Sequence, residues 1–251
     1  MKVELSIGGP EKLDGTLVLV DAYKSSATIV AALDNGAKFV LPFEDEQEAK
    51  EAKKEWKKKG DVILAGEKMG VKIEDFDLNI SPLDMTEDNV KNKIIIYKSD
   101  NLTRILEKCK GAEEILIGGL INSQAVGEYL NNTKPERVEI VACGTHNKNL
   151  IGDFLDIPCD SQNDFTMEDF IGAGSIIHHL DWDYASDLGL ISLLAYENPD
   201  WKKKIFQGCI VRALQKAGLE EDIPACFTEN ISDTIPILKK NQILKLSTIN
   251  R

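Results

Sequence analysis

Thr16-Leu17-Val18-Leu19-Val20-Asp21-Ala22-Tyr23-Lys24-Ser25-Ser26 carries the decision about the fold. Five β-rich, mostly apolar residues end abruptly at a carboxylate, a cation and two hydroxyls. A helical pattern follows over residues 28–33 and stops at Asn35-Gly36, where glycine accepts the left-handed conformation that ends helices. Strand, polar turn and helix form one βα unit. The same order recurs, with strands expected over residues 38–42, 62–65, 93–98, 114–117 and 137–143. Helices are expected over 44–59, 102–110 and 123–130. Strands that alternate with helices lie parallel in one sheet with helices on both faces. The fold class is α/β, a three-layer α/β/α arrangement around a mainly parallel, mixed sheet.

Around these units the pattern changes. The last third, about residues 165–230, reads as mostly helical, with helices over 167–180, 184–196 and 201–217. Short strands near 235–238 and 242–246 close the chain. Residues 66–82 read as a long loop too polar for the core, and loops of that length in compact domains usually serve function.

The composition bounds what such a fold can do. The 251 residues are 43% hydrophobic and 29% charged, with no low-complexity tract or linker, so residues 1–251 form one domain. The formal charge of -12 repels nucleic acid and anionic lipid headgroups. No stretch approaches the roughly 20 apolar residues that cross a bilayer, and the N-terminus turns charged at once. Neither nucleic acid nor membrane is an expected partner, while a homo-oligomer stays open. Five widely spaced cysteines without a Cys-x-x-Cys pair read as reduced thiols of a cytoplasmic protein, with no disulfide.

In open α/β sheets, ligands bind beyond the carboxyl ends of the strands. Those ends here deliver Asp21 through Ser26, then Gly66-Glu67 and Asp75 through Pro82, then Lys98 through Arg104, Gly118 through Ser123, and Gly144 through Asn147. Any one of these acids or amides could simply cap a helix. Gathered at one rim, the hydroxyls, amides, Lys24 and Arg104 suit phosphate or sulfonate oxygens beside helix N-termini. Asp21, Glu67 and Asp77 are hard oxygen donors that suit Mg²⁺. No Walker A loop, Gly-x-Gly-x-x-Gly run or Gly-x-Ser-x-Gly elbow occurs. Of the adjacent His178 and His179, one is expected packed and one exposed. His146 is the histidine that a strand end would place near chemistry.

These motifs resemble, in order along nearly the whole chain, the 2-phosphosulfolactate phosphatase family. The family's Asp-Val-Leu-Arg-Ala-Thr-Ser-Thr-Ile element is similar to Asp21 through Ile29, followed by Asn35-Gly36-Ala37. Its Gly-Glu-Arg element is matched by Gly66-Glu67-Lys68-Met69-Gly70 through Phe76-Asp77 to Ser81-Pro82. Its Thr-Thr-Asn-Gly-Thr-Arg turn resembles Ser99 through Arg104, and its two helix starts resemble Asn122 through Val126 and Glu168-Asp169 through Gly174. Gly218 through Ile223 and Thr234 through Pro236 resemble the closing segment. The chain departs from the pattern at Lys24, where arginine is usual, at Leu102, where glycine is usual, at the extra carboxylate Asp100, and over residues 155–163, which read as an insertion.

The resemblance implies a Mg²⁺-dependent hydrolase that turns 2-phosphosulfolactate, a small anionic phosphorylated substrate, into 3-sulfolactate and phosphate in coenzyme M biosynthesis. It implies catalytic roles for Asp21, Lys24, Arg104 and Asp169, and substrate contacts for Ser25, Ser26, Thr28, Asn101, Thr103 and Asn122. Metal ligands are implied among Asp21, Glu67, Asp77 and Glu168. The departures keep two alternatives open: a phosphatase for another small phosphorylated hydroxy acid, and a non-catalytic anion-binding protein of the same fold.

Overall fold

A computed structural model gives the fold and describes residues 1–145 and 164–248. In chain order it forms β1 (Lys2–Ile7), β2 (Thr16–Val20), α1 (Ser25–Asp34), β3 (Phe39–Phe43), α2 (Glu46–Trp56), β4 (Val62–Lys68) and β5 (Val71–Lys72). Then come α3 (Glu87–Val90), β6 (Ile94–Lys98), α4 (Leu102–Lys108), β7 (Glu114–Gly118), α5 (Ser123–Thr133) and β8 (Arg137–Ala142). The remainder is α6 (Met167–His178), β9 (Tyr184–Ala185), α7 (Asp187–Glu197), α8 (Trp201–Ile205), α9 (Cys209–Ala217), α10 (Ile223–Cys226), β10 (Pro236–Lys239) and β11 (Gln242–Lys245).

All five residues of β2 are buried, as an apolar run covered on both faces must be. Leu17 and Leu19 pack with Ile29, Ile95 and Ile105, while Val18 and Val20 pack with Val3, Val126 and Ile176. The two faces of one strand thus belong to two cores, with the sheet between them. That is the three-layer α/β/α arrangement.

The strands run β5-β4-β6-β3-β11-β10-β7-β2-β8-β1-β9. Two parallel blocks are visible, β4-β6-β3 on one side and β7-β2-β8-β1-β9 on the other. The antiparallel hairpin β10–β11 sits between them. It joins the blocks through the pairings Ile237 with Leu116 of β7 and Ile243 with Val40 of β3.

Four expectations are corrected. Residues 66–82 are not an uninterrupted polar loop: β4 continues to Lys68 and turns through Met69 and Gly70 into β5. Ile73, Phe76 and Ile80 are buried beneath that turn, and the charges between them hid their spacing. The helix expected from 184 begins at Asp187, because Tyr184–Ala185 pairs with β1 and Ser186 caps the Gly189 N–H at 3.2 Å. The helix expected over 201–217 is two, α8 and α9, parted at Gly208. Cys109, Cys143 and Cys226 are buried free thiols as expected, but Cys209 is disulfide-bonded. His178 is exposed and His179 half-buried. His146 and residues 155–163 lie outside the described residues. Among the described residues no helix is long and apolar enough to cross a membrane.

Candidate active site

The polar residues that follow β2 fold back on one another. Ser25 Oγ donates to Asp21 Oδ2 at 2.6 Å, and the Asp21 N–H donates to Ser26 Oγ at 3.1 Å. Ser26 Oγ in turn donates to the Gly118 carbonyl at the end of β7, at 2.7 Å. Thr28 Oγ1 donates to the carbonyls of Lys24 and Ile80, both at 2.9 Å. Ser26 and Thr28 therefore hold the turn in place, and Ser25 is the hydroxyl that reaches the cleft. Lys24 is 6% exposed, with Nζ 2.7 Å from Asp222 Oδ2, and Ser81 Oγ donates to the other oxygen of Asp222.

The helix α6 opens with Glu168 and Asp169, both buried. Asp169 accepts the Ala22 N–H and the Gly144 N–H, each at 2.7 Å, so one carboxylate staples the ends of β2 and β8 together. Burial pushes its carboxyl well above the usual range, and the charges of Glu168 and Asp21 push the same way. Burial likewise raises Asp21, against the opposing pull of Ser25, the Leu102 amide and Lys24. Glu168 is pushed up to about 7, by burial first and with Asp21 adding to the effect. Three carboxyl groups share a desolvated space in which their charges repel.

The other parallel block supplies the facing side. Glu67, at the end of β4, accepts the N–H groups of Gly70 and, at 3.0 Å, Asp100. Burial and the neighbouring Asp100 raise its pKa. Lys98, at the end of β6, pairs with Asp100 and donates to the Glu67 carbonyl at 3.1 Å. Tyr97 is fully buried and close enough to Asp21 and Ser25 for their charge and hydroxyl to act on its phenol. Strands β3, β11, β10 and β7 lie between β6 and β2 in the sheet, so the sheet curls to bring these two strand ends together.

Between the two blocks lies a cleft of about 770 Å³. Asp21, Lys24, Ser25, Glu67, Asp100, Asn101, Thr145 and Glu168 line its polar part. Arg104, on α4, stands outside this lining. Its Nη2 is 3.7 Å from Asp164 Oδ2, and among the described residues Nε and Nη2 are buried without a hydrogen-bond acceptor. Asn101 Oδ1 is also buried and unpaired. Buried polar groups without partners are rare, and a guanidinium is a strong donor to carboxylate and phosphate oxygens.

Other expected site residues have different surroundings. Thr103 donates to the Ser99 carbonyl at 2.5 Å and lies beneath the cleft. Asn122, fully buried, accepts the Gly119 N–H at 3.0 Å and donates to the Thr234 carbonyl at 2.9 Å. Asp77 is partly exposed, held by Lys53 at 2.6 Å and the Leu64 N–H at 2.8 Å. It is not among the residues of the cleft. Asp222, Ser81 and Tyr97 belong to the site, and the sequence reading gave them no role. Asp222 does have a signal, an acid just after the helix stop at Gly218. Tyr97 sits in an apolar strand and has none.

Among the described residues no three acidic, histidine or cysteine groups gather tightly enough to cage a metal without help. Mg²⁺ does not need such a cage, since it is usually held by one or two carboxylates with water and substrate phosphate completing the shell. Asp21 and Glu168 fit that description: both line the cleft, both are desolvated, and Asp21 raises the cost of charge on Glu168. Asp169 fits less well, because both its oxygens already accept backbone amides.

A family model described as 2-phosphosulpholactate phosphatase matches residues 6–241. A protein of Clostridium botulinum named "Probable 2-phosphosulfolactate phosphatase" is 32% identical over 238 residues, 93% of this chain and 92% of the relative. One of Caldanaerobacter subterraneus with the same name is 33% identical over 249 residues, 96% and 95% of the two chains. A third, from Clostridium acetobutylicum, is 31% identical over 254 residues and covers the whole relative.

Proposed function

The chain belongs to the 2-phosphosulpholactate phosphatase family, and on that premise we propose that it hydrolyses 2-phosphosulfolactate to 3-sulfolactate and phosphate with Mg²⁺. The observation that carries the reading to this site is the gathering of the buried carboxylates Asp21 and Glu168 and the buried ammonium of Lys24 around one cleft. Carboxylates alone would repel the substrate. Mg²⁺ held by Asp21 and Glu168 would cancel their two negative charges.

Asp21 and Glu168 would hold the Mg²⁺, which neutralises charge developing on the phosphoryl oxygens. Lys24 has three donors and commits one to Asp222, leaving two for the phosphoryl group. Arg104 and the Asn101 side chain complete an anion site for the phosphoryl or sulfonate oxygens. Glu67, fixed by the amides of Gly70 and Asp100, orients the attacking water from the opposite block. Water adds to phosphorus, the ester P–O bond breaks, and the alkoxide leaves with a proton from solvent.

Phosphate release from 2-phosphosulfolactate with and without Mg²⁺ tests the activity. Asp21→Asn is expected to lower turnover by about 10²-fold or more, the effect of removing a group that stabilises transition-state charge. Its thermal midpoint should hold, since a buried repelling charge is removed. Arg104→Ala should raise KM about tenfold, the loss of one charge-assisted hydrogen bond. Substrate binding without phosphate release under any metal would instead favour an anion-binding protein.

A further inference from the structure

Helix α9 is amphipathic, yet of its residues only Val211 is buried in the core. Ile210, Ala213, Leu214 and Ala217 recur at i, i+3, i+4 and i+7, one face of a helix, and all four line the cleft. Across from them the β4–β5 turn presents Met69, 48% exposed, and Val71, 58% exposed, to the same space. The polar floor of Asp21, Lys24, Ser25 and Asn101 is thus continuous with an apolar wall.

The two sides of the wall already meet. Gly70 adopts φ +80°, and a Cβ there would lie 3.1 Å from Leu219 Cδ1. The turn therefore roofs the cleft at that point, and the apolar faces beside it bound a space and do not collapse onto one another. A cleft of about 770 Å³ is in the range that takes a drug-sized ligand. A small, wholly polar anion has no group to lay against the wall.

We infer that the cleft takes organic phosphates whose phosphoryl group lies on the polar floor and whose other end is an apolar arm of several carbons laid along α9 and the β4–β5 turn. This deepens the phosphatase reading and rests on it for the orientation of the phosphoryl group. Each methylene moved from water onto such a wall tightens binding about fourfold.

Two measurements on the full-length protein with Mg²⁺ test it. Calorimetric titration with methyl-, propyl- and hexylphosphonate reads binding without turnover, and the affinity is expected to climb about fourfold per added methylene before levelling. Leu214→Gln should flatten that climb. In parallel, phosphate release is followed from phosphate monoesters of 2-hydroxy acids with lengthening alkyl chains, where kcat/KM should climb with the same slope. A flat or falling affinity series overturns the inference, even if 2-phosphosulfolactate is hydrolysed. A rising affinity series with no phosphate released from any ester, 2-phosphosulfolactate included, supports the apolar arm and overturns the phosphatase reading alone.

Discussion

Lys24 occupies a space already closed by Asp222 and Tyr23. Its ammonium is 2.7 Å from Asp222, which Ser81 also holds, and 5.8 Å from the centre of the Tyr23 ring. The family pattern that the chain resembles has arginine at this point, a planar fork that needs more room and a bidentate partner. A compact ammonium fits where Asp222 stands, and a guanidinium would have to displace it. Lys24→Arg is therefore expected to lower kcat/KM on 2-phosphosulfolactate about tenfold, measured beside the unaltered protein. A gain on substitution would mean that Asp222 yields and that the pocket has not been shaped to lysine. At this scale the sequence is least explicit. Ser25, Ser26 and Thr28 look alike as hydroxyls at a helix start, but Ser26 and Thr28 are engaged by carbonyls of Gly118 and Ile80, from other parts of the chain. Only the tertiary fold decides which hydroxyl meets backbone and which meets ligand.

Elements explain the rest of the site. Asp21, Lys24 and Ser25 sit where a strand ends and a helix begins, and that alternation is readable from hydrophobic runs and turn residues: β2 falls on residues 16–20 as expected. Glu67 and Asp77 show the limit. They lie ten residues apart in one stretch, and both are acids in a polar segment. The turn at Met69–Gly70, with φ +55° and +80°, reverses the chain so that Glu67 faces the cleft and Asp77 faces Lys53. No periodicity encodes that reversal. The helix α6 contributes through Asp169, whose two oxygens tie Ala22 and Gly144 to its first turn. In Asp169→Asn the amide can accept only one of those N–H groups and turns a donor toward the other. Relief of the repulsion from Glu168 and Asp21 offsets part of the loss. The expected net cost is about 1–3 kcal/mol, the penalty for a buried unpaired backbone donor, read by chemical denaturation. Turnover should fall with it, because the strand end that carries Asp21 loses its anchor.

Across the whole molecule, Arg137 ties two segments of the N-terminal half to β8. Its guanidinium bonds Glu4 of β1 at 2.6 Å, the Asp14 carbonyl at 2.8 Å, and Glu139. The hydrogen bond from Lys2, joined by Arg137, holds the Glu4 carboxyl below its ordinary range despite partial burial. A carboxyl depressed in the folded state contributes stability that is fully present above its unfolded pKa and is lost as the pH falls through the folded one. Denaturation midpoints should therefore drop on acidification below the usual glutamate range of about 4.3, and Glu4→Gln should flatten that limb. An unchanged acid limb would show that the Arg137 cluster contributes nothing to stability. The hairpin β10–β11 has a consequence of another kind. It bridges the block that carries Asp21 and Glu168 to the block that carries Glu67 and Asn101, and every residue that lines the cleft precedes it in the sequence. A nascent chain still holding that hairpin in the ribosomal tunnel has made every polar group of the cleft but not the two strands that set the spacing between its halves. Catalytic competence thus waits for this hairpin to leave the ribosome, and a message truncated just before Pro236 yields a chain with all the chemistry and no fixed distance across which to use it.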